Sequence, residues 1–428
     1  MKNYPYWWEF YKPYHLKNCE VQDRVFDLVI IGSGYTGISA SIEANHQNLN
    51  TLVIDQFALG EGASTRSAGM ISGGLNLGKK VNLFKKYGNS LALDFIQESI
   101  DSYKYLEETI LGSEDKVFYQ KTGRLVLAHS QKKLSALQEK TNLLNSVTQL
   151  QVELLNDLES ELPNNFYKGG MLVKDAASIH PSLFYKFLLD KTINLGTKIC
   201  TPCKLISYKK EDDFYLLNTT EGSFKTKYLL FATNGYSSKE IGDEHNKIIG
   251  IPSYISVSNE LGEDTIHKLM PNLRMYSDTK NDLFYFRPTP DHKRLLFGAF
   301  PIWAANQENS SMVKNFFLKK IPKILPSIPK FELDYIWGGK VGVTFNTLPE
   351  VNKIDNRLYV FGCNGSGVAL MPYLGHRSIS LLQDKRNSKF VISQIHSNKN
   401  YLKNLIVKLL PLLGFYYRFK ENLENKFN

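Results

Sequence analysis

Ile31-Gly32-Ser33-Gly34-Tyr35-Thr36-Gly37 follows an apolar run, Phe26 to Ile31, and leads into a segment that reads as helix. Eighteen residues beyond Gly37, a second apolar run, Thr51 to Ile54, ends in Asp55. Strand, glycine turn, helix, strand and terminal acid together form a βαβ nucleotide-binding pattern, which an isolated G-x-G-x-x-G would not. In such a unit Gly32 makes the tight turn and Gly34 lets the backbone approach a pyrophosphate. Gly37 lets the helix pack closely on the strand, and Asp55 accepts hydrogen bonds from a ribose. Ser33, Tyr35 and Thr36 belong to the turn and the first turn of the helix, where free N–H groups and the positive dipole end favour phosphate.

The 428 residues suffice for two domains or one large interleaved one, and 43% hydrophobic with 22% charged residues is ordinary for a globular chain. No apolar window approaches the length of a membrane span, and Met1 to Trp8 lacks the apolar core and cleavage site of a signal peptide, so a cytoplasmic chain is expected. The formal charge of +10 comes from lysines scattered among Asn and Glu, without a dense basic run interleaved with aromatics. Nucleic acid is therefore not an expected partner, whereas a small anionic substrate or an anionic membrane would suit such a surface. Four cysteines are present: Cys19, Cys200, Cys203 and Cys363. The Cys200-Thr201-Pro202-Cys203 spacing is that of a redox pair or half a zinc site. It closes a strand-like run, Thr197 to Cys200, instead of opening a helix, and no second pair exists. Two reduced thiols and no metal are expected.

Beyond Asp55 lies a loop rich in small residues, Gly60 to Gly69, followed by Ser72-Gly73-Gly74. Helical spacing of Ile96, Ile100, Tyr103, Leu106 and Ile110 predicts a helix over 91–110, and further helices are expected over 130–148 and 181–194. Strands are expected at Leu125 to Ala128 and Tyr228 to Ala232, then as an antiparallel series at Tyr254 to Ser258, Leu283 to Arg287 and Leu295 to Phe300. A last apolar strand, 358–361, runs into Gly362-Cys363-Asn364-Gly365-Ser366-Gly367 and a helix from Val368. Glycine turns that feed strands into helices thus occur at both ends of the chain. The simplest arrangement is a nucleotide domain assembled from separated segments, with a second domain inserted between them.

Several of these motifs, in this order, resemble the FAD-dependent D-amino-acid oxidase superfamily, and within it the glycine oxidase, sarcosine oxidase and gamma-glutamylputrescine oxidoreductase-like group. The resemblance runs through Tyr6-Trp7-Trp8, the Gly32 motif, Gly62-Ala63-Ser64-Thr65-Arg66, Gly123-Arg124-Leu125 and His180-Pro181. It continues through Phe231 to Gly235, Tyr285 to Asp291, Trp337-Gly338-Gly339, Leu348-Pro349 and Gly365-Ser366-Gly367-Val368. It implies a mixed α/β and α+β fold: a Rossmann-like FAD-binding domain (24–90, 165–245 and 335–385), an inserted antiparallel-sheet substrate domain (91–164 and 246–334) and a helical tail (386–428).

The cofactor so implied is FAD, held by Gly62, Ala63, Ser64, Arg66 and Ser67 at the pyrophosphate and ring edge, and by Thr233 and Gly235 at the end of a strand. The far turn, Gly362, Gly365, Ser366, Gly367 and Val368, would aim N–H groups and a helix dipole at the flavin N1–C2=O, where charge builds up on reduction. The backbone of Cys203 is expected at the adenine end. No cysteine stands near Lys340-Val341-Gly342-Val343 to tether the flavin, so noncovalent FAD is expected.

For substrate, the resemblance singles out Arg287 as a carboxylate-binding fork, with Tyr285 on the same strand face. The implied reaction oxidises the C–N bond of an amino acid or other amine, with oxygen or another acceptor taking the electrons. Three positions depart from the pattern: Asn346 stands where relatives carry Asp, Ser366 lies in a Gly-His-Gly position, and Ser67 follows Arg66 where Asn is common. They keep open a diverged FAD-binding protein without amine oxidation, and the resemblance itself leaves a second alternative, a flavoenzyme acting on modified tRNA.

In the tail, Leu402, Leu405, Ile406, Leu409, Leu410 and Leu413 share a helical face, and residues 396–428 carry six Lys and Arg against two Glu, a net charge of +4. Pro411 interrupts any long amphipathic helix, so packing on the protein itself is expected, with peripheral contact at the inner membrane face as the alternative.

Overall fold

The computed structural model describes residues 1–16, 25–72, 83–163, 166–301, 304, 311–382 and 390–424. Gly73, Gly74 and Cys19 lie outside the described residues. The helices are α1 (Tyr35–His46), α2 (Leu83–Ile110), α3 (Gln131–Val147), α4 (Pro181–Asn194), α5 (Glu263–Leu269), α6 (Ser311–Ile324), α7 (Gly367–Ile379) and α8 (Lys403–Glu424).

Five strands lie side by side and parallel in the first sheet, in the order Arg357–Phe361, Gly222–Phe231, Val25–Ile31, Thr51–Ile54 and Lys198–Cys200. Glu350–Ile354 adds an antiparallel edge, and Leu205–Glu211 and Phe214–Thr219 extend the Gly222 strand as a hairpin. Central strands such as Thr51–Ile54 are buried along their whole length because both faces of the sheet are covered. Leu28, Ile30, Val53 and Leu230 pack under α1, α2, α4 and α7, while Val29, Leu52, Leu229 and Phe231 pack on the other face with Tyr215 and Leu217.

The register decides where a ligand can sit. Ile31 pairs with Ile54 and with Phe231, Ile54 pairs with Cys200, and Phe231 pairs with Tyr359. All five parallel strands therefore end along one edge. The segments that follow them are the Gly32 turn, Asp55, the Cys203 stretch, Thr233 to Gly235 and the Gly362 turn. That edge is where open α/β sheets bind ligands.

The second sheet runs Leu333–Thr344, Ile248–Ser258, Leu295–Ala299, Phe284–Pro288, Met275–Asp278, Arg124–Leu127, Gly170–Val173 and Val152–Leu155. Every pair is antiparallel except Met275–Asp278 with Arg124–Leu127. Residues of α5 and α6 cover one part of it through Ile266, Phe316 and Phe317, and Leu134, Leu137 and Leu144 of α3 cover another.

Segment assignment differs from the sequence expectation in three places. Gly170–Val173 and Leu333–Thr344 pair into the second sheet. The α2 helix packs Phe95, Leu106 and Ile110 into the core of the first sheet, not the second. A helix records only that one face is apolar, so its partner was not readable from periodicity. The same helix begins upstream of 91, across a kink at Gly88, where φ is +78°.

Two further expectations are corrected. Cys200 is disulfide-bonded, a state found mainly in oxidising compartments, while Cys203 and Cys363 are free thiols. The tail helix runs unbroken from Lys403 to Glu424 with Pro411 inside it. Leu410 is buried, but Leu402, Leu405, Leu409, Leu412 and Leu413 are exposed, so most of the expected packing face is turned to solvent. Among the described residues no helix is long and apolar enough to cross a membrane.

Candidate active site

A cavity of about 790 Å³ opens along the shared edge of the parallel strands and continues under the second sheet. Gly32, Gly34, Tyr35 and Thr36 form one wall. Gly32 adopts φ +108°, and a Cβ there would stand 2.9 Å from the Ala232 carbonyl oxygen. A Cβ at Gly37 would stand 1.9 Å from the Gly32 carbonyl oxygen, so α1 can start under the turn only with glycine at this position. Gly37 and Ser33 lie behind the wall, and Ser33 is fixed by Asp55. The Oδ2 of Asp55 accepts from Ser33 N–H at 2.7 Å and from Ser33 Oγ at 2.8 Å, and its Oδ1 accepts from Phe57 N–H at 2.9 Å. Burial pushes the Asp55 carboxyl upward, and the two backbone donors pull it back. Asp55 thus braces the glycine turn while facing the cavity.

The next wall is the loop Gly62, Ala63, Ser64, Arg66 and Ser67. Ser64 Oγ accepts the Tyr35 N–H at 2.9 Å, which ties this loop to the first turn of α1. Three tryptophans hold the loop from outside. Trp7 Nε1 donates to Ser67 O at 2.8 Å, Trp8 Nε1 to Thr65 Oγ1 at 2.9 Å, and Trp337 Nε1 to Arg66 O at 2.9 Å. The Arg66 guanidinium lies over the Trp8 ring at 4.7 Å and donates to the carbonyls of Glu61 and Gly338. The tryptophan motifs were visible in the sequence, but their role as clamps needed the three-dimensional contacts.

Cys203 lines the cavity beside Asp55, whose carbonyl accepts the Cys203 N–H at 2.6 Å. Thr233 lines it too, whereas Gly235 stands behind, with its would-be Cβ 2.9 Å from Gly342 N. At the far turn Gly365, Gly367 and Val368 face the cavity, and Gly362 and Ser366 lie behind. Ser366 Oγ is buried without a hydrogen-bond partner among the described residues, and Asn346 accepts the Leu348 N–H at 3.0 Å in a local turn, outside the cavity wall. Two helix N-termini, of α1 and α7, therefore open on the same space, and a Cβ at Gly365 would meet nothing within 4 Å. Two dipole ends and a run of backbone N–H groups along an elongated cavity fit an extended dinucleotide with an electron-accepting ring at one end.

The two residues expected to bind substrate separate. Tyr285 lines the cavity, and its hydroxyl pairs with Ser253 Oγ at 2.7 Å. Arg287 does not line it. Its Nε donates to Ala68 O at 2.8 Å and its Nη2 to Ile179 O at 3.0 Å, and its guanidinium lies 5.4 Å from the Trp7 ring centre. The side chain is 1% exposed, and burial pulls its pKa down to about 9. Arg287 braces the Ala68–Gly69 backbone, and the carboxylate-binding role inferred for it from the sequence is corrected on that ground. The cavity instead receives Arg124 and, from α3, Lys133 and Lys140, none of which stood out in the sequence as a substrate residue. Among the described residues no cluster of His, Cys, Asp or Glu could hold a metal ion.

Residues 27–380 match the family model described as FAD dependent oxidoreductase. The chain is 24% identical over 361 residues to gamma-glutamylputrescine oxidoreductase of Escherichia coli (strain K12), covering 83% of each chain. It is 25% identical over 404 residues to the probable oxidoreductase OrdL of Haemophilus influenzae, covering 92% of this chain and 91% of the other. In three dimensions it is similar to glycine oxidase from Geobacillus kaustophilus, with a TM-score of 0.73 and 15% identity over 88% of this chain and 99% of that one. The chain belongs to the DAO family of FAD-dependent oxidoreductases.

Proposed function

We propose that this oxidoreductase oxidises the C–N bond of a small amine or amino acid. The observation that carries the reading is the convergence of α1 and α7 on a cavity that continues past the cofactor loops to Tyr285 and Ser253 under the second sheet. FAD held along Gly32, Gly34, Ser64, Gly365 and Gly367 would supply the two-electron acceptor for such an oxidation, whose products after hydrolysis would be a carbonyl compound and ammonia or a smaller amine.

The chain's own residues supply position and exclusion of water. Tyr285, half-buried and fixed through Ser253, offers a hydroxyl and a ring face to a substrate, and desolvation raises its phenol pKa further above the neutral range. Met70, Ile255 and Phe300 add apolar wall. Positioning of this kind can account for a large share of a rate without a dedicated acid–base pair. The names of the two amine- or amino-acid-specific relatives, gamma-glutamylputrescine oxidoreductase and glycine oxidase, support the reading. The test is product analysis: one carbonyl and one released amine or ammonia per two electrons delivered to the acceptor, from at least one member of an amine panel.

Peripheral membrane contact is proposed for α8 in addition. Its outward Leu405, Leu409 and Leu412, with Leu402 just before it and the net positive charge of the tail, suit an anionic lipid surface.

A further inference from the structure

The Tyr285 side chain leans across the second sheet, and its neighbours decide what its hydroxyl can do. Tyr285 pairs with Gly298 on the adjacent strand, and a Cβ on Gly298 would stand 2.1 Å from the Tyr285 ring. The ring can lie over that position only because it is glycine. It thereby reaches Ser253, two strands away in the sheet, whose Oγ lies 2.7 Å from the phenol oxygen. Ser253 is buried and pairs with Gly339 on the strand beyond, where a Cβ would stand 3.4 Å from Arg66 Cβ. The hydroxyl pair is therefore one strand spacing, about 5 Å, from the glycine that packs on the cofactor loop. Tyr285 and Ser253 both line the cavity.

Ser253 has one hydroxyl proton and two oxygen neighbours. Its Oγ stands 3.1 Å from the Ala299 carbonyl oxygen and 2.7 Å from the Tyr285 oxygen. A carbonyl only accepts, so the Ser253 proton goes to Ala299 O. Turned to Tyr285 instead, it would leave two oxygens facing each other inside the sheet with no proton between them. Ser253 therefore accepts, and Tyr285 directs its own proton to Ser253. Ser253 is the phenol's one hydrogen-bond partner among the described residues. What remains on the phenol oxygen is acceptor capacity alone. The geometry points to Tyr285 as an N–H acceptor that takes the nitrogen end of an amine and turns away a carboxylate, which would meet it lone pair to lone pair. This inference rests on the amine-oxidation reading of the same cavity and adds to it which end of the substrate Tyr285 holds. Ser253 is a positioning residue, acting only through the tyrosine proton that it fixes.

Calorimetric titration of the FAD-loaded protein with two isomeric cations tests this without turnover. tert-Butylammonium and tetramethylammonium share formula and charge, but only the first has N–H donors. The first has no hydrogen on the carbon beside nitrogen and the second has no N–H to lose, so neither can become a neutral imine. The wild-type protein should bind tert-butylammonium about 10-fold or more tightly than its isomer. Tyr285→Phe should erase the difference. Ser253→Ala, which frees the tyrosine proton, should narrow it several-fold and strengthen the binding of pivalate, and Ser253→Thr should restore the wild-type pattern, with FAD content unchanged throughout. Equal affinity for the two isomers in the wild type, or no binding of either, overturns the assignment even if no variant folds. A difference that survives in folded Tyr285→Phe, or is undiminished in folded Ser253→Ala, overturns it as well. Should the isomers be distinguished in this way while no amine reduces the flavin, the N–H acceptor stands and amine oxidation falls. Should amines reduce the flavin with the isomers bound equally, the reverse holds.

Discussion

The side-chain oxygen of Asn234 accepts the Gly362 N–H at 3.0 Å, joining two glycine turns that are 128 residues apart in the chain. Asn234 sits at φ +42°, a left-handed conformation that Asn tolerates better than most residues, and a Cβ on Gly342 would stand 2.1 Å from its Oδ1. Through this bond the end of one parallel strand fixes the turn that opens α7. Asn234→Ala should leave the Gly362 donor without that partner and add backbone strain, lowering stability by about 1–3 kcal/mol. Urea unfolding should register that loss, and flavin fluorescence on dilution should show faster release of FAD. An unchanged midpoint with unchanged FAD retention would remove Asn234 from this role.

Arg287 should behave as a structural residue. Arg287→Met leaves two buried carbonyls, of Ala68 and Ile179, short of a donor, and the expected cost is about 2–4 kcal/mol. The decisive contrast is with Tyr285→Leu, which should raise KM while changing the melting temperature less. A large KM effect for a stable Arg287→Lys variant would reinstate Arg287 at the substrate.

Asp278 gives the chain a pH signature. Burial raises its pKa to about 7, against donors from Phe284 N and Lys280 N. Below the unfolded-state carboxyl pKa both states are protonated. Between that value and about 7 the unfolded chain ionises while the folded chain keeps its proton, so this group makes stability fall as pH rises through that window. Above it both states are ionised and the slope vanishes. Asp278→Asn should flatten this part of the profile, and melting temperatures measured from about pH 4.5 to 8 should show the difference. A parallel profile in the variant would contradict the assignment.

The tail should sediment with vesicles containing anionic lipid and far less with neutral ones, and the binding should weaken with salt. Leu405→Ser with Leu409→Ser should reduce it without altering FAD content. Equal sedimentation with neutral and anionic vesicles, or none with either, would exclude the lipid contact.

The cavity wall along the strand edge was legible because each of its devices is local. The Gly32 turn, Asp55, the Ser64 loop and the Gly365 turn each announce themselves by residue type next to an apolar run, and the register then gathers them at one edge. Arg287 misled because Tyr285-Phe286-Arg287 gives strand alternation but not depth. Both side chains share a face, yet only Tyr285 reaches the cavity, and the arginine meets Ala68 and Ile179 first. Arg124 was hidden for the converse reason. Its relation to Lys140 depends on α3 crossing the sheet, a tertiary fact that no spacing between the two residues encodes. The tail helix shows the same limit: its apolar stripe was plain, but which neighbour it would meet was not.

Amine oxidation at this flavin site is put to the proof by anaerobic single-turnover spectroscopy of the FAD-loaded protein mixed with a panel of amines and amino acids. At least one compound should bleach the oxidised flavin band and yield one equivalent of carbonyl product per flavin. A flavin that stays oxidised with every amine, yet bleaches readily with dithionite, would contradict the proposed reaction.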